Sequence, residues 1–294
     1  MRPGLGLVST AAYHHALCNV TCKKTGMFRR FFSTGKFVSY LGGSAAAATT
    51  TVVALSDKEL KKKPEWYQTA VFRLEESLKR LGKYRPIENA EVLDNAEDTL
   101  TRVSDYNSAE LLWRLGRALV EKSELTHDHH EKAHLIEKAL EHLHKALSLD
   151  AADKCAGCHK WYAMALKKAG KKVGASHSEV VHHLEKAVQI DDKDPFAWLY
   201  LGIQHFETKN YKDAVSALQK AENARPEFSA ANKYYLGVSQ YYNGNRDEAL
   251  KTLKKALHLP TRNIIDGRSK IRAKEFLLTK LNQKWEDIDP TEDY

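Results

Sequence analysis

Between Pro195 and Pro226, small, apolar and polar positions recur at distances that fit two antiparallel helices, not an alternating strand. Trp198, Leu201 and Gly202 mark the first helix, Ala214, Leu218 and Ala221 the second, and Pro226 follows it. Gly202 and Ala214 are small where two helix backbones must approach closely. Trp198, Leu201 and Leu218 fill the space between them. Pro226 stops the second helix, since it has no amide donor and its ring clashes with the preceding turn. His205 stands where the pattern has an aromatic residue.

The unit recurs. Leu236, Gly237, Ala249, Leu253 and Ala256 repeat it 35 residues on, with Asn243-Gly244-Asn245 as the turn and Pro260 as the stop. Upstream, Val180, Leu184 and Ala187 mark a second helix ending near Ile190. Its first helix is His159 to Lys168, with Tyr162 and Ala163 in the Leu-Gly positions. Leu115-Gly116 and Ala139, Leu143, Ala146 form another pair, with a His- and Glu-rich insertion that lengthened helices would absorb. The spacing and residue types are those of tetratricopeptide repeats. The expected fold is therefore all-α: an α-solenoid of about four helix pairs across residues 64–285. A helical preface (Glu65 to Leu81 and Glu88 to Val103, broken at Gly82–Pro86) precedes it. A capping helix from Arg268 to Trp285 closes it, with Ile271, Phe276, Leu277, Leu278 and Leu281 as the expected apolar face. Residues 286–294 are expected to be a frayed acidic tail.

Charge changes the picture mainly at the N-terminus. The chain of 294 residues has a formal charge of +8, a value that suggests nucleic acid or membrane. Residues 1–56, however, hold no Asp or Glu and contain Arg2, Lys23, Lys24, Arg29, Arg30 and Lys36. Six of the eight net charges thus belong to a leader, and no nucleic-acid partner is expected. An acid-free basic stretch with Ser and Thr reads as a mitochondrial targeting leader, residues 1–36, with a processing-like site at Arg30-Phe31-Phe32-Ser33; the plainer alternative is an inert tail. The uncharged run Phe37 to Leu55, rich in Ala, Gly, Ser and Thr, is long enough to cross a bilayer but only marginally apolar, so 37–63 reads as a low-complexity linker. Lys58, Lys61, Lys62 and Lys63 end it, as a solvated run or a contact for acidic or anionic surfaces.

In such repeats the first helices line a concave groove. The frame assigns Glu110, Trp113, Arg117 and Val120 to it from the first pair, and Lys160, Met164, Lys167 and Lys168 from the second. The third gives Phe196, Leu199, Ile203 and Phe206, and the fourth Tyr234, Val238, Tyr241 and Tyr242. A trough basic at one end and aromatic towards the other suits an amphipathic or acidic peptide, or an anionic phospholipid. The alternative is that these side chains bury against neighbouring repeats or a C-terminal helix folded back on them.

Cys155-Ala156-Gly157-Cys158-His159 has the pattern of covalent haem attachment. It opens a repeat helix, and no second axial ligand is placed by any motif, so two ordinary thiols are expected; a redox dithiol is the next reading. His127, His129, His130 and His134 cluster, and His182-His183 form a pair, but no Cys or carboxylate completes a ligand set. A solvated polar loop is expected for the first group, and no metal or cofactor. No catalytic triad, phosphate loop or dinucleotide turn is present in the sequence, so no enzyme is expected.

The segments Ala109-Glu110-Leu111-Leu112-Trp113-Arg114-Leu115 and His159-Lys160-Trp161-Tyr162-Ala163, with Leu184-Glu185-Lys186-Ala187 and the stretched repeats, resemble the regulator of microtubule dynamics family over roughly residues 65–285. The resemblance implies a non-enzymatic repeat protein that associates with microtubules and is linked to the spindle and cytoskeleton. It also implies a mitochondrial alternative, since the family has members at mitochondria and one that tethers organelles and binds phospholipid.

Overall fold

The computed structural model describes residues 64–288, apart from 103, 105–107, 150–151, 171–173 and 285. The leader, the 37–63 linker with its lysine cluster, and Cys18 and Cys22 lie outside the described residues. Within them, all regular structure is helical, in agreement with the expected solenoid.

The preface is α1 (Glu65–Leu81) and α2 (Ala90–Thr101). Four pairs follow: α3 (Ala109–Leu125) with α4 (His129–Leu147), α5 (Ala156–Ala169) with α6 (His177–Ile190), α7 (Pro195–Glu207) with α8 (Tyr211–Ala224), and α9 (Ala230–Tyr242) with α10 (Arg246–His258). A final helix, α11 (Ile264–Thr279), packs on both α9 and α10. The insertion in the first pair is absorbed by helix length: α3 has 17 residues and α4 has 19, against 13 and 14 in the third pair. His127 lies in the short loop before α4, and His129, His130 and His134 lie on its exposed first turns, so most of the expected polar loop is helix. Asp128 caps that start, its carboxylate accepting the amides of His130 and Glu131.

The eighth residue of each first helix explains the repeat. It is Gly116, Ala163, Gly202 and Gly237 in α3, α5, α7 and α9. A Cβ added at Gly116, Gly202 or Gly237 would lie 2.4, 2.5 or 2.7 Å from Cγ of Leu143, Leu218 or Leu253, each fully buried on the partner helix. The two backbones meet at that point, and any side chain would push them apart.

In α11 the eighth residue is Ile271, which is 71% exposed. The capping helix thus sits as the first helix of a fifth pair, and among the described residues no second helix covers it. Its buried face is Asp266, Ser269, Ala273 and Leu277; of the expected apolar face, Leu277 and Leu281 are buried and Phe276 and Leu278 pack against their cluster, while Ile271 is the one member that faces out. Asp266 explains the register: its carboxylate accepts Ser229 Oγ at 2.6 Å and the Ala231 amide at 3.0 Å, tying α11 to the start of α9. Ile288, in the stretch expected to fray, is buried in a cluster with Val238, Leu277 and Leu281.

Candidate functional site

The segment joining α1 to α2 is not a simple break. Residues 83–88 form no backbone–backbone hydrogen bond among the described residues. Their polar backbone atoms turn instead to side chains of α3. The Arg117 guanidinium donates to the carbonyls of Gly82 at 2.9 Å, Lys83 at 3.5 Å and Arg85 at 2.7 Å. The Glu121 carboxylate accepts the Ile87 amide at 3.3 Å and Arg117 Nε at 3.2 Å. Arg117 has no exposed surface.

From there the segment crosses the first helices toward the far end of the stack. Tyr84 donates its hydroxyl to Asp191 at 2.8 Å, and Lys83 pairs with the same carboxylate at 2.9 Å. Pro86 lines, together with Phe196, Leu199, Tyr200 and Ile265, a void of only about 10 Å³. Arg85 reaches the Arg262 carbonyl at 3.5 Å, and Glu88 accepts the Ile264 amide at 2.8 Å. One stretch of chain, here called the strap, therefore spans from the first pair to the start of α11.

The electrostatics follow from this burial. Desolvation pushes the Tyr84 hydroxyl up to about 12, so it stays a protonated donor to Asp191. Burial tends to raise Asp191, but the hydrogen bonds from Lys83 and Tyr84 outweigh it and hold the carboxyl below its usual range. Burial raises Glu121, against the opposing pull of Arg117. Beneath the strap, Lys160 is enclosed, and desolvation lowers its pKa against the attraction of Asp194, whose carboxylate lies 2.8 Å away.

These positions correct the expectation of an open trough. Trp113, Arg117, Lys160, Phe196, Leu199 and Val238 are buried: the strap, the neighbouring repeat or α11 covers them. The basic end dissolves as well. Lys160 is paired with Asp194, Lys167 with Glu207 and Lys168 with Glu124. Met164, Ile203, Phe206, Tyr234 and Tyr241 are half-buried, and Tyr242 is 48% exposed.

What stays partly open is an aromatic belt that the sequence only half revealed. Tyr211 stacks on Tyr242 at 4.8 Å, Tyr242 meets Tyr241 and Phe276 edge-on, and Phe206 meets Tyr211 and Tyr235 edge-on. Tyr211, Tyr235 and Phe276 were missed because they lie outside the groove positions of the repeat frame. Of the frame's structural residues, Leu201, Gly202, Ala214, Leu218 and Ala221 are buried. Trp198 is only partly so, donating its indole N–H to the Asp192 carbonyl, and Pro226 follows the end of α8.

The Cys-x-x-Cys-His motif is internal. Cys155 caps α5 through its sulfur, which accepts the Cys158 amide, and both thiols are buried. The neighbouring Cys155, then burial, push the Cys158 thiol up. His159 turns its Nδ1 to Nδ1 of His183 at 2.9 Å. The thiols and imidazole are all engaged within the repeat, so the residues do not fit a covalently attached haem. Among the described residues, no group of three or more His, Cys, Asp or Glu side chains could hold a metal ion, and no helix is long and apolar enough to cross a membrane.

Cationic surface gathers elsewhere. Residues 246–284, covering α10, α11 and their flanks, contain eleven Lys and Arg against four Asp and Glu. None of the eleven is buried.

A profile of the family described as Regulator of microtubule dynamics protein 1-3 matches residues 74–282. Regulator of microtubule dynamics protein 1 of Pongo abelii is 28% identical over 211 residues, 63% of this chain and 66% of that protein. Regulator of microtubule dynamics protein 3 of Mus musculus is 28% identical over 176 residues, 51% of this chain and 37% of that protein. The chain thus spans 66% or less of the length of these relatives. Among solved structures, a thermophilic TPR protein of Thermus thermophilus aligns with a TM-score of 0.50 at 16% identity, over 71% of this chain and 99% of that one, a likeness of fold.

Proposed function

Since the chain belongs to the regulator of microtubule dynamics 1–3 family, we propose that it is a non-enzymatic repeat scaffold that binds microtubules through its basic C-terminal end. One observation carries the reading: a net +7 across α10, α11 and their flanks, with every cation at least partly exposed. The lysines of the groove are paired, whereas this end faces solvent with a large excess of positive charge. Such a surface is attracted to the acidic tails of tubulin through long-range fields that salt screens. Co-sedimentation tests it. The protein should pellet with microtubules at low salt, less at higher salt, and far less with microtubules whose acidic tails have been removed. Pelleting that is indifferent to both tails and salt contradicts the proposal.

A second reading takes support from the aromatic belt beside Arg272, whose charge bears on both Tyr234 and Tyr235. Aromatic rings next to a guanidinium suit an anionic phospholipid. Native mass spectrometry of the purified protein should then show a retained lipid, and a clean apo mass counts against it. As for compartment, the acid-free stretch 1–36 supports delivery to mitochondria. A fluorescent fusion should lose mitochondrial signal when residues 1–36 are deleted; an unchanged pattern on microtubules or in the cytoplasm contradicts that part of the proposal.

A further inference from the structure

The strap is built like a bound peptide. Its backbone carbonyls and one amide are read by the side chains of Arg117 and Glu121. This mode of contact holds a non-helical chain whatever its sequence. Side chains then add selectivity. Lys83, Arg85 and Glu88 are exposed, while Tyr84, Pro86 and Ile87 are half-buried toward the floor, and no residue from 82 to 88 is fully buried. The segment lies on the surface of the groove and is not part of its core.

Two ion pairs of the floor do not depend on the strap. Arg117 is held by Glu121 and Lys160 by Asp194, in each case by residues of the repeats themselves. Phe196, Leu199 and Tyr200 pack within the core of the third pair. Removing the strap leaves the Arg117–Glu121 and Lys160–Asp194 pairs in place and frees Asp191, the Arg117 terminal N–H groups and the Ile264 amide to take another chain.

We propose that residues 83–88 are an exchangeable occupant of the groove, and that the groove accepts in trans a non-helical peptide of the same chemistry: basic, Tyr, any residue, Pro, apolar, acidic. The basic residue and Tyr meet Asp191, Pro borders the same small void as Phe196 and Tyr200, and the acidic residue meets the amide of Ile264. A tethered occupant competes at an effective concentration on the order of millimolar, so a free peptide enters only when the strap is weakened or the peptide offers further contacts.

The test uses the full chain and a fluorescein-labelled synthetic peptide with the sequence of residues 82–90. Wild-type protein should bind it at least tenfold more weakly than Y84A/P86A, whose strap has lost its two side-chain anchors. Y84F, which removes only the hydroxyl bound to Asp191, should fall between them. A scrambled peptide should bind neither variant. The proposal is overturned if Y84A/P86A stays folded by circular dichroism and gains no affinity, or if the scrambled peptide binds equally. It is also overturned if Y84A/P86A fails to fold and Y84F gains nothing, because the strap is then a fixed structural part. Salt-sensitive microtubule pelleting should be unchanged in Y84F, so failure of this proposal and failure of the basic-end reading are seen separately.

Discussion

Replacing Gly202 with Ala tests the repeat register at one atom. In an exposed helix interior the change would stabilise the protein by about 1 kcal/mol, because Ala loses less backbone freedom than Gly. Here the new Cβ would lie 2.5 Å from Cγ of Leu218, a branch point and not a flexible tip, and Leu218 has no exposed surface into which to rotate. Overpacking of this kind costs about 1–3 kcal/mol. A contact this short, against a branch point, belongs in the upper half of that range (about 2–3 kcal/mol), so the steric cost should win, leaving a net loss of about 1–2 kcal/mol and a Tm lower by about 2–8 °C for a chain of this size. The control is I271A: it sits at the same register position, but its side chain is mostly in water, so it should change stability by less than about 0.5 kcal/mol. Adding L218A to G202A should cost less than the sum of the two single changes, since the smaller residue makes room. Thermal or urea unfolding of the four variants supplies the numbers. A higher Tm for G202A, or equal losses for G202A and I271A, refutes the packing argument.

Other consequences are as specific. Arg117→Met leaves the Glu121 carboxylate buried without its cation and three strap carbonyls without a donor, so it should cost about 3–5 kcal/mol in urea unfolding; R117M/E121M should recover much of that loss. Asp266→Ala strands the Ser229 hydroxyl and the Ala231 amide, and should cost about 1–3 kcal/mol, with limited proteolysis reporting early release of α11. The His159–His183 pair makes stability fall in acid. Burial, then neighbouring cations, lower His159, and burial with the two nearby histidines lowers His183 to about 4. The unfolded chain, with histidines near 6.5, binds more protons below that pH than the folded one. This contribution is therefore complete above about pH 6.5 and lost as pH falls toward 4, and H183Q should flatten the decline of Tm over that window.

The solenoid was legible because its determinants are local and periodic. Gly202, Leu218 and Pro226 each announce a contact that recurs from unit to unit, and α11 could be expected as a cap because a stack must end. The register of α11 was not legible, since hydrophobicity pointed to Ile271 and away from Asp266, whose burial depends on Ser229 lying opposite. The strap left no signal at all: Gly82–Pro86 has neither helical nor alternating pattern, and its partners include Asp191, Arg262 and Ile264, more than a hundred residues away. Lys160 carried a readable hint. Asp194 follows it by 34 residues, one repeat length, so a groove lysine and the cap of the next first helix meet by construction. The basic end is obscured in the sequence because the leader accounts for most of the total charge, while the five acidic residues of the tail from Glu286 onward offset most of the local surplus.

The most direct measurement compares microtubule affinity, across a salt series, for the wild-type protein, K251E/K255E/R268E/R272E and Y84A/P86A. If contact runs through the basic end while the groove holds its own strap, reversing those four charges should abolish binding and its salt dependence, and opening the strap should leave both as they were. Undiminished binding by the charge-reversed protein would contradict the account.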